Sequence, residues 1–106
     1  YNIYREYCHI DNITYVIHEF LKTDEYKFLI YNLGSEDVYT IIKILTILKK
    51  KNTNIQWNKV TDEKADIVLD TNNNRAGLNM NRVKEVVSNY PLYTFKQSLI
   101  YTYNHL

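Results

Sequence analysis

A chain of 106 residues, 45% apolar and 24% charged, has the material for one hydrophobic core and fits one domain. Its net charge of +1 supplies no overall attraction to nucleic acid or to a membrane surface, so either role requires local clustering of charge. One cysteine, Cys8, cannot build an internal disulfide framework, and no apolar run approaches the length of a membrane span, so a cytoplasmic protein is expected.

Residues 1–10 carry no clear periodicity. From Asp11 the pattern sharpens: Ile13, Val16, Ile17, Phe20 and Leu21 recur at helical spacing, with Asp11 or Asn12 placed to cap, predicting a short amphipathic helix that ends near Thr23. Residues 26–33, YKFLIYNL, are almost continuously apolar and aromatic, as in a strand covered on both faces. Gly34 and Ser35 stop that run. A long helix is expected next, capped by Ser35, with Glu36 and Asp37 in its first turn and Lys49, Lys50 and Lys51 in its last, each matched to the helix dipole. Its stripe of Val38, Ile41, Ile42, Leu45 and Leu48, widened by Ile44 and Ile47, suggests burial against a sheet.

Asn52 to Asn54 end that helix, and an extended segment from Ile55 toward Val60 follows. Ala65 to Asp70 (ADIVLD) predicts a third strand, and Thr71 to Gly77 (TNNNRAG) a loop. Leu78, Met80, Val83, Val86 and Val87 predict a helix stopped before Pro91, and Thr94 caps a last helix carrying Phe95, Leu99, Ile100 and Tyr103. Strands alternating with helices point to an α/β fold: a small two-layer or three-layer domain with a short, mostly parallel sheet flanked by helices. The whole of 1–106 is expected to form one domain, with an N-terminal helical segment over 1–25 and a βαββαα core over 26–106. The first residue is Tyr1, which suggests a piece excised from a longer protein.

Strand, turn and helix across Gly34 is the order that builds many phosphate sites. This turn has one glycine and no lysine, and Glu36 and Asp37 would meet a phosphate with like charge, so it is expected only to turn the chain. Cys8, His9, His18 and His105 lack metal-ligand spacing, and no nucleophile motif is present, so no catalytic or metal residue is assigned. Asp66 and Asp70 share a face of a regular strand, where caps and turns are the commoner role of such aspartates than acid-base work. The basic residues carry more signal. Lys49, Lys50 and Lys51, with Lys59, Lys64, Arg75, Arg82 and Lys84, would form a cationic surface if the loops converge, attracting an acidic polypeptide or nucleic acid in a salt-dependent way.

The run YKFLIYNLGSEDVYTIIKILTILKKKNTNIQW, then ADIVLD and VSNYPLYTFKQSLIYTYNHL, resembles the amino-terminal domain of the tubulin–tyrosine ligase family, through Trp57, Asp66 to Asp70, Asn89 to Pro91, and Lys96 with Leu99. The resemblance implies a parent ligase that uses ATP and Mg²⁺ through residues beyond this chain, with no cofactor held here. It also implies a non-catalytic substrate-docking role toward tubulin, with Lys49, Lys50, Lys51, Arg75 and Arg82 as the partner-binding residues. Two alternatives stand beside it. One is a structural or protein-interaction module, from a virus or parasite given the A+T-rich codon bias that abundant Asn, Ile, Tyr and Lys imply. The other is a nucleic-acid-binding domain using the same basic residues.

Overall fold

The computed structural model describes residues 3–68, 74 and 76–106. Among these, 43% are helical and 4% are in strands. Strand β1 (Arg5–Glu6) leads into helix α1 (Ile10–Leu21), and strand β2 (Val38–Tyr39) into helix α2 (Ile41–Lys51). A single 3-10 turn covers Asp62–Lys64, and helices α3 (Asn81–Val86) and α4 (Phe95–Asn104) complete the order. The two strands form one antiparallel pair, Arg5 opposite Tyr39 and Glu6 opposite Val38.

The expected α/β fold with a short, mostly parallel sheet flanked by helices is therefore corrected to a helical fold with a minimal antiparallel ribbon. A strand is stable only when its N–H and C=O groups find a ladder partner. Residues 26–33 find none, and bond elsewhere: the Phe28 N–H donates to the Tyr31 hydroxyl (3.2 Å). Their apolar character serves a strap of side chains instead. Tyr26 stacks on Phe20 of α1 at 5.5 Å and Tyr31 meets the same ring edge-on at 4.9 Å, while Leu29 and Ile30 face solvent. Residues 55–60 and 65–68 are likewise outside any strand, and positions 69 and 70 of the expected third strand lie outside the described residues.

The helices follow the sequence pattern more closely, with shifted ends. The N-cap of α1 is His9, whose Nδ1 accepts the Asp11 N–H (3.2 Å), rather than Asp11 or Asn12. Asn12 is buried instead: its side chain donates to the Tyr93 carbonyl (2.9 Å) and accepts the Tyr93 N–H (3.0 Å), fastening α1 to the approach of α4. Helix α2 starts at Ile41 with Thr40 as its cap, not at Ser35, because Val38 and Tyr39 are drawn into the ribbon with β1. No residue of α2 is buried, since it lies on α4 and not on a sheet. In α4 the expected Thr94 cap is present as a full capping box with Gln97.

The core lies between α1 and α3, where Val16, Met80, Val83, Val87 and Tyr90 pack together with Phe20, Tyr31 and Leu33 at their edge. Phe95, stacked on Tyr39 at 3.8 Å, ties α4 to the ribbon. This is a small core for an open shape. The accessible surface is 8209 Å², against about 6,200 Å² for a compact chain of this mass, and the radius of gyration is 16.7 Å, against about 13 Å.

Both glycines of the chain sit where two backbones approach closely. A Cβ on Gly77 would overlap the backbone of Glu36, and one on Gly34 the Glu6 carboxylate. Gly77→Ala should therefore lower the stability by about 2 to 4 kcal/mol in urea titrations, because rigid backbone cannot move aside as a side chain can. Ser98→Ala, which removes a buried hydroxyl with no partner among the described residues, should leave the stability unchanged or raise it.

Candidate functional site

The turn after Gly34 does bind an anion, and the anion is the chain's own. Glu6 Oε1 accepts the N–H groups of Ser35 (2.6 Å) and Glu36 (2.8 Å), and Oε2 accepts the Leu78 N–H (3.0 Å). Successive N–H groups aimed at one oxygen form a nest, and Glu36 takes the left-handed conformation (φ 64°). The expectation that this turn holds no phosphate rested on its single glycine, on the lack of a lysine and, above all, on Glu36 and Asp37 in a helical first turn. They are not there; the first turn of α2 holds no acid. The nest is filled by Glu6 instead, a residue that sequence spacing could not connect to Ser35.

Glu36 extends the same clasp. Its Oε1 accepts the Met80 N–H (3.1 Å), and its Oε2 pairs with Lys84 at 2.5 Å. The hydrogen bond from Lys84 holds the Glu36 carboxyl below its ordinary value of 4.5, with the Met80 N–H adding to the effect. The Tyr90 hydroxyl donates to the Gly34 carbonyl, and Cys8 Sγ lies 3.6 Å from it. Burial raises the Tyr90 phenol well above its usual range, keeping the proton that this bond needs. Every one of these groups is spent on holding the chain together.

The expected partner-binding cations fall in different places. Lys49, Lys50 and Lys51 are exposed on the last turn of α2, with the Lys49 ammonium 5.1 Å from the Trp57 ring. Arg82 is on α3, where its guanidinium lies 4.3 Å from the Phe28 ring and donates to the Ile30 carbonyl (3.1 Å), pinning the aromatic strap. Arg75 and Asp70 lie outside the described residues. Among those described, no group of three His, Cys, Asp or Glu side chains is placed to hold a metal ion.

One concave site among the described residues is apolar. A pocket of about 240 Å³ opens between α1, the strap and α3, lined by Val16, Ile17, Phe20, Leu21, Tyr26, Tyr31, Leu33 and Val83. Both phenols on its wall are already engaged, Tyr26 donating to the Phe20 carbonyl and Tyr31 accepting from Phe28. Ile17 (51% exposed) and Leu21 (81% exposed) form its mouth. The volume is below the roughly 300 to 1,000 Å³ of small-molecule sites, and no free polar group orients a ligand, so it suits one apolar side chain. The sequence marks Val16, Ile17, Phe20 and Leu21 as one helical set, but not that half of the set would be left open.

No family model, no curated protein and no solved structure matches this chain. No helix among the described residues is long and apolar enough to cross a membrane.

The Glu36 carboxylate stabilises the fold in its ionised form, so its contribution is present above pH 4.5 and lost as the pH falls through its lowered folded value. The pair is more than one third exposed, so this loss is about 0.5 kcal/mol or less. Urea midpoints measured at pH 7 and pH 3 should show a smaller difference in Lys84→Met than in the wild type. Glu6→Ala strands three N–H groups and should cost more, about 2 to 4 kcal/mol at pH 7.

Proposed function

We propose that this chain is a non-catalytic protein-interaction module whose pocket at the C-terminal half of α1 receives an apolar side chain of a protein partner. The observation that carries this is the uncovered pocket itself, apolar throughout and rimmed by exposed Ile17 and Leu21. A buried anchor surrounded by neutral contacts is how protein interfaces concentrate their binding energy. The ionisable groups that are drawn together, Glu6, Glu36, Lys84 and Tyr90, are consumed by structural bonds, which favours docking over chemistry. Side-chain mimics test this. N-acetyl-leucine amide titrated into the labelled protein should shift the NMR resonances of Phe20, Tyr31 and Val83 with a Kd of about 1 mM. Ile17→Trp, which fills the mouth, should abolish the shifts; their absence in wild-type protein that is monomeric at the concentration of the titration contradicts the proposal.

A narrower reading in the same class is docking of tubulin, with the chain as the amino-terminal part of a tubulin–tyrosine ligase-like enzyme. It is supported by the short motifs that resemble that family and by the exposed Lys49, Lys50 and Lys51, which suit an acidic surface. The parallel sheet expected with that resemblance is absent among the described residues, which leaves the motifs and the charge as its support. In co-sedimentation with microtubules at low salt, Lys49→Glu, Lys50→Glu and Lys51→Glu combined should weaken binding about tenfold or more, at up to 1 kcal/mol per exposed charge. Equal binding of the wild type and the triple variant removes this reading and leaves the pocket untouched.

A further inference from the structure

Helix α1 carries apolar residues beyond its buried side. Asn12 and Val16 are buried, while Ile10 (62% exposed), Thr14, Ile17 (51%) and Leu21 (81%) form an exposed stripe that meets the pocket wall at Ile17 and Leu21. Their spacing of four, three and four residues is the d-a-d-a spacing by which helices pack knobs into holes. A surface helix normally turns charged and polar residues to water on its outer side, so this stripe calls for a cover of matching period.

We propose that the cover is a second copy of this chain, its α1 packed antiparallel against the first about a two-fold axis between Thr14 and Ile17. This rests on the docking reading above and names its occupant. The stripe is complementary to itself in that arrangement: Ile10 of one copy meets Leu21 of the other, and Thr14 meets Ile17. Along one flank, Asp11 of each copy falls between His18 and Lys22 of its mate, at about 3 Å of axial offset from each given a rise of 1.5 Å per residue. Opposite charges therefore meet at both ends of the pair. Within one copy Asp11 lies 3.7 Å from His9, and Glu19 lies near both His18 (3.5 Å) and Lys22 (2.5 Å), so the contacts across the pair add to these. Along the other flank lie Ile13 and Phe20, and there Ile10 of the second copy comes to the mouth of the pocket beside Leu21. A parallel pair would instead set the flank of Asp11, His18 and Lys22 against the apolar flank of Ile13 and Phe20, where no opposite charge meets it.

A two-fold contact has to recruit more surface than the stripe. The chain exposes on the order of 2,000 Å² more than a compact protein of its mass, and a standard interface covers about 800 Å² on each side. Twelve residues of helix cannot supply that alone, but the stripe continues into the pocket rim, where Tyr26 is 48% exposed.

Sedimentation equilibrium of the full chain tests the arrangement. The wild type should be a dimer with a micromolar Kd, and Ile17→Asp or Leu21→Asp should raise that Kd at least about 30-fold, by placing a charge in the apolar seam, with unchanged circular dichroism. Asp11→Lys should weaken the dimer about fivefold, and adding Lys22→Asp should restore it, which a merely structural role for Asp11 would not produce. A wild type that stays monomeric at 200 µM, or a dimer indifferent to Ile17→Asp and Leu21→Asp, overturns the proposal. If that monomer still takes N-acetyl-leucine amide in its pocket, the docking reading survives without the second copy; if it does not, both fail.

Discussion

One carboxylate organises this molecule. Glu6 accepts three backbone N–H groups, two from the turn at Ser35 and Glu36 and one from Leu78, and so joins segments separated by about 30 and 70 positions in the chain. Bonds to an ionised acceptor are stronger than neutral ones, and here they add to a ladder of only two short strands among the described residues. The ribbon of β1 and β2 is two residues long on each side and could not by itself fix the turn. Both glycines follow from this clasp, since Gly34 leaves room for the Glu6 carboxylate and Gly77 for the Glu36 backbone.

From the clasp the chain divides into two helix pairs. Helix α1 lies on α3 around the buried valines and Met80, and α2 lies on α4 through half-buried side chains and the Asn52 to Tyr103 hydrogen bond (2.8 Å). The residues between α1 and the clasp, 26–33, are as apolar as any run of their length in α2, yet they cross the α1 and α3 body as a strap. A strap covers less than a layer does. The pocket exists because Tyr26 and Tyr31 roof one side of Phe20 and leave the side toward Ile17 and Leu21 open. The site and the shortage of core thus have one cause.

What could be read from the sequence was local. Helical periods placed α1, α3 and α4 to within a few residues, and Thr94 and Gln97 announced the capping box, because these features depend on neighbours three and four positions away. The start of α2 was misplaced by the same reasoning. Ser35 and Thr40 both suit a cap, and only the pairing of Val38 and Tyr39 with β1 decides for Thr40. The apolar run 26–33 reads as a strand because composition records apolar character, and neither the burial nor the hydrogen-bond partners that the run goes on to find. The lysines of α2 and Arg82 were visible as charges, but not that Arg82 would be held by Phe28 and Ile30.

Residue order alone showed that four segments carry helical periods and that Thr94 caps the last of them, but it left most helix ends shifted by a few residues. Tertiary structure alone decided that the apolar runs would not pair into a sheet, that Glu6 would fill the nest beyond Gly34, and which face of α1 would remain uncovered. The physical reason is range: helix periods and caps are satisfied within one turn of chain, whereas a strand partner, a nest and a pocket each need groups brought together from dozens of residues apart.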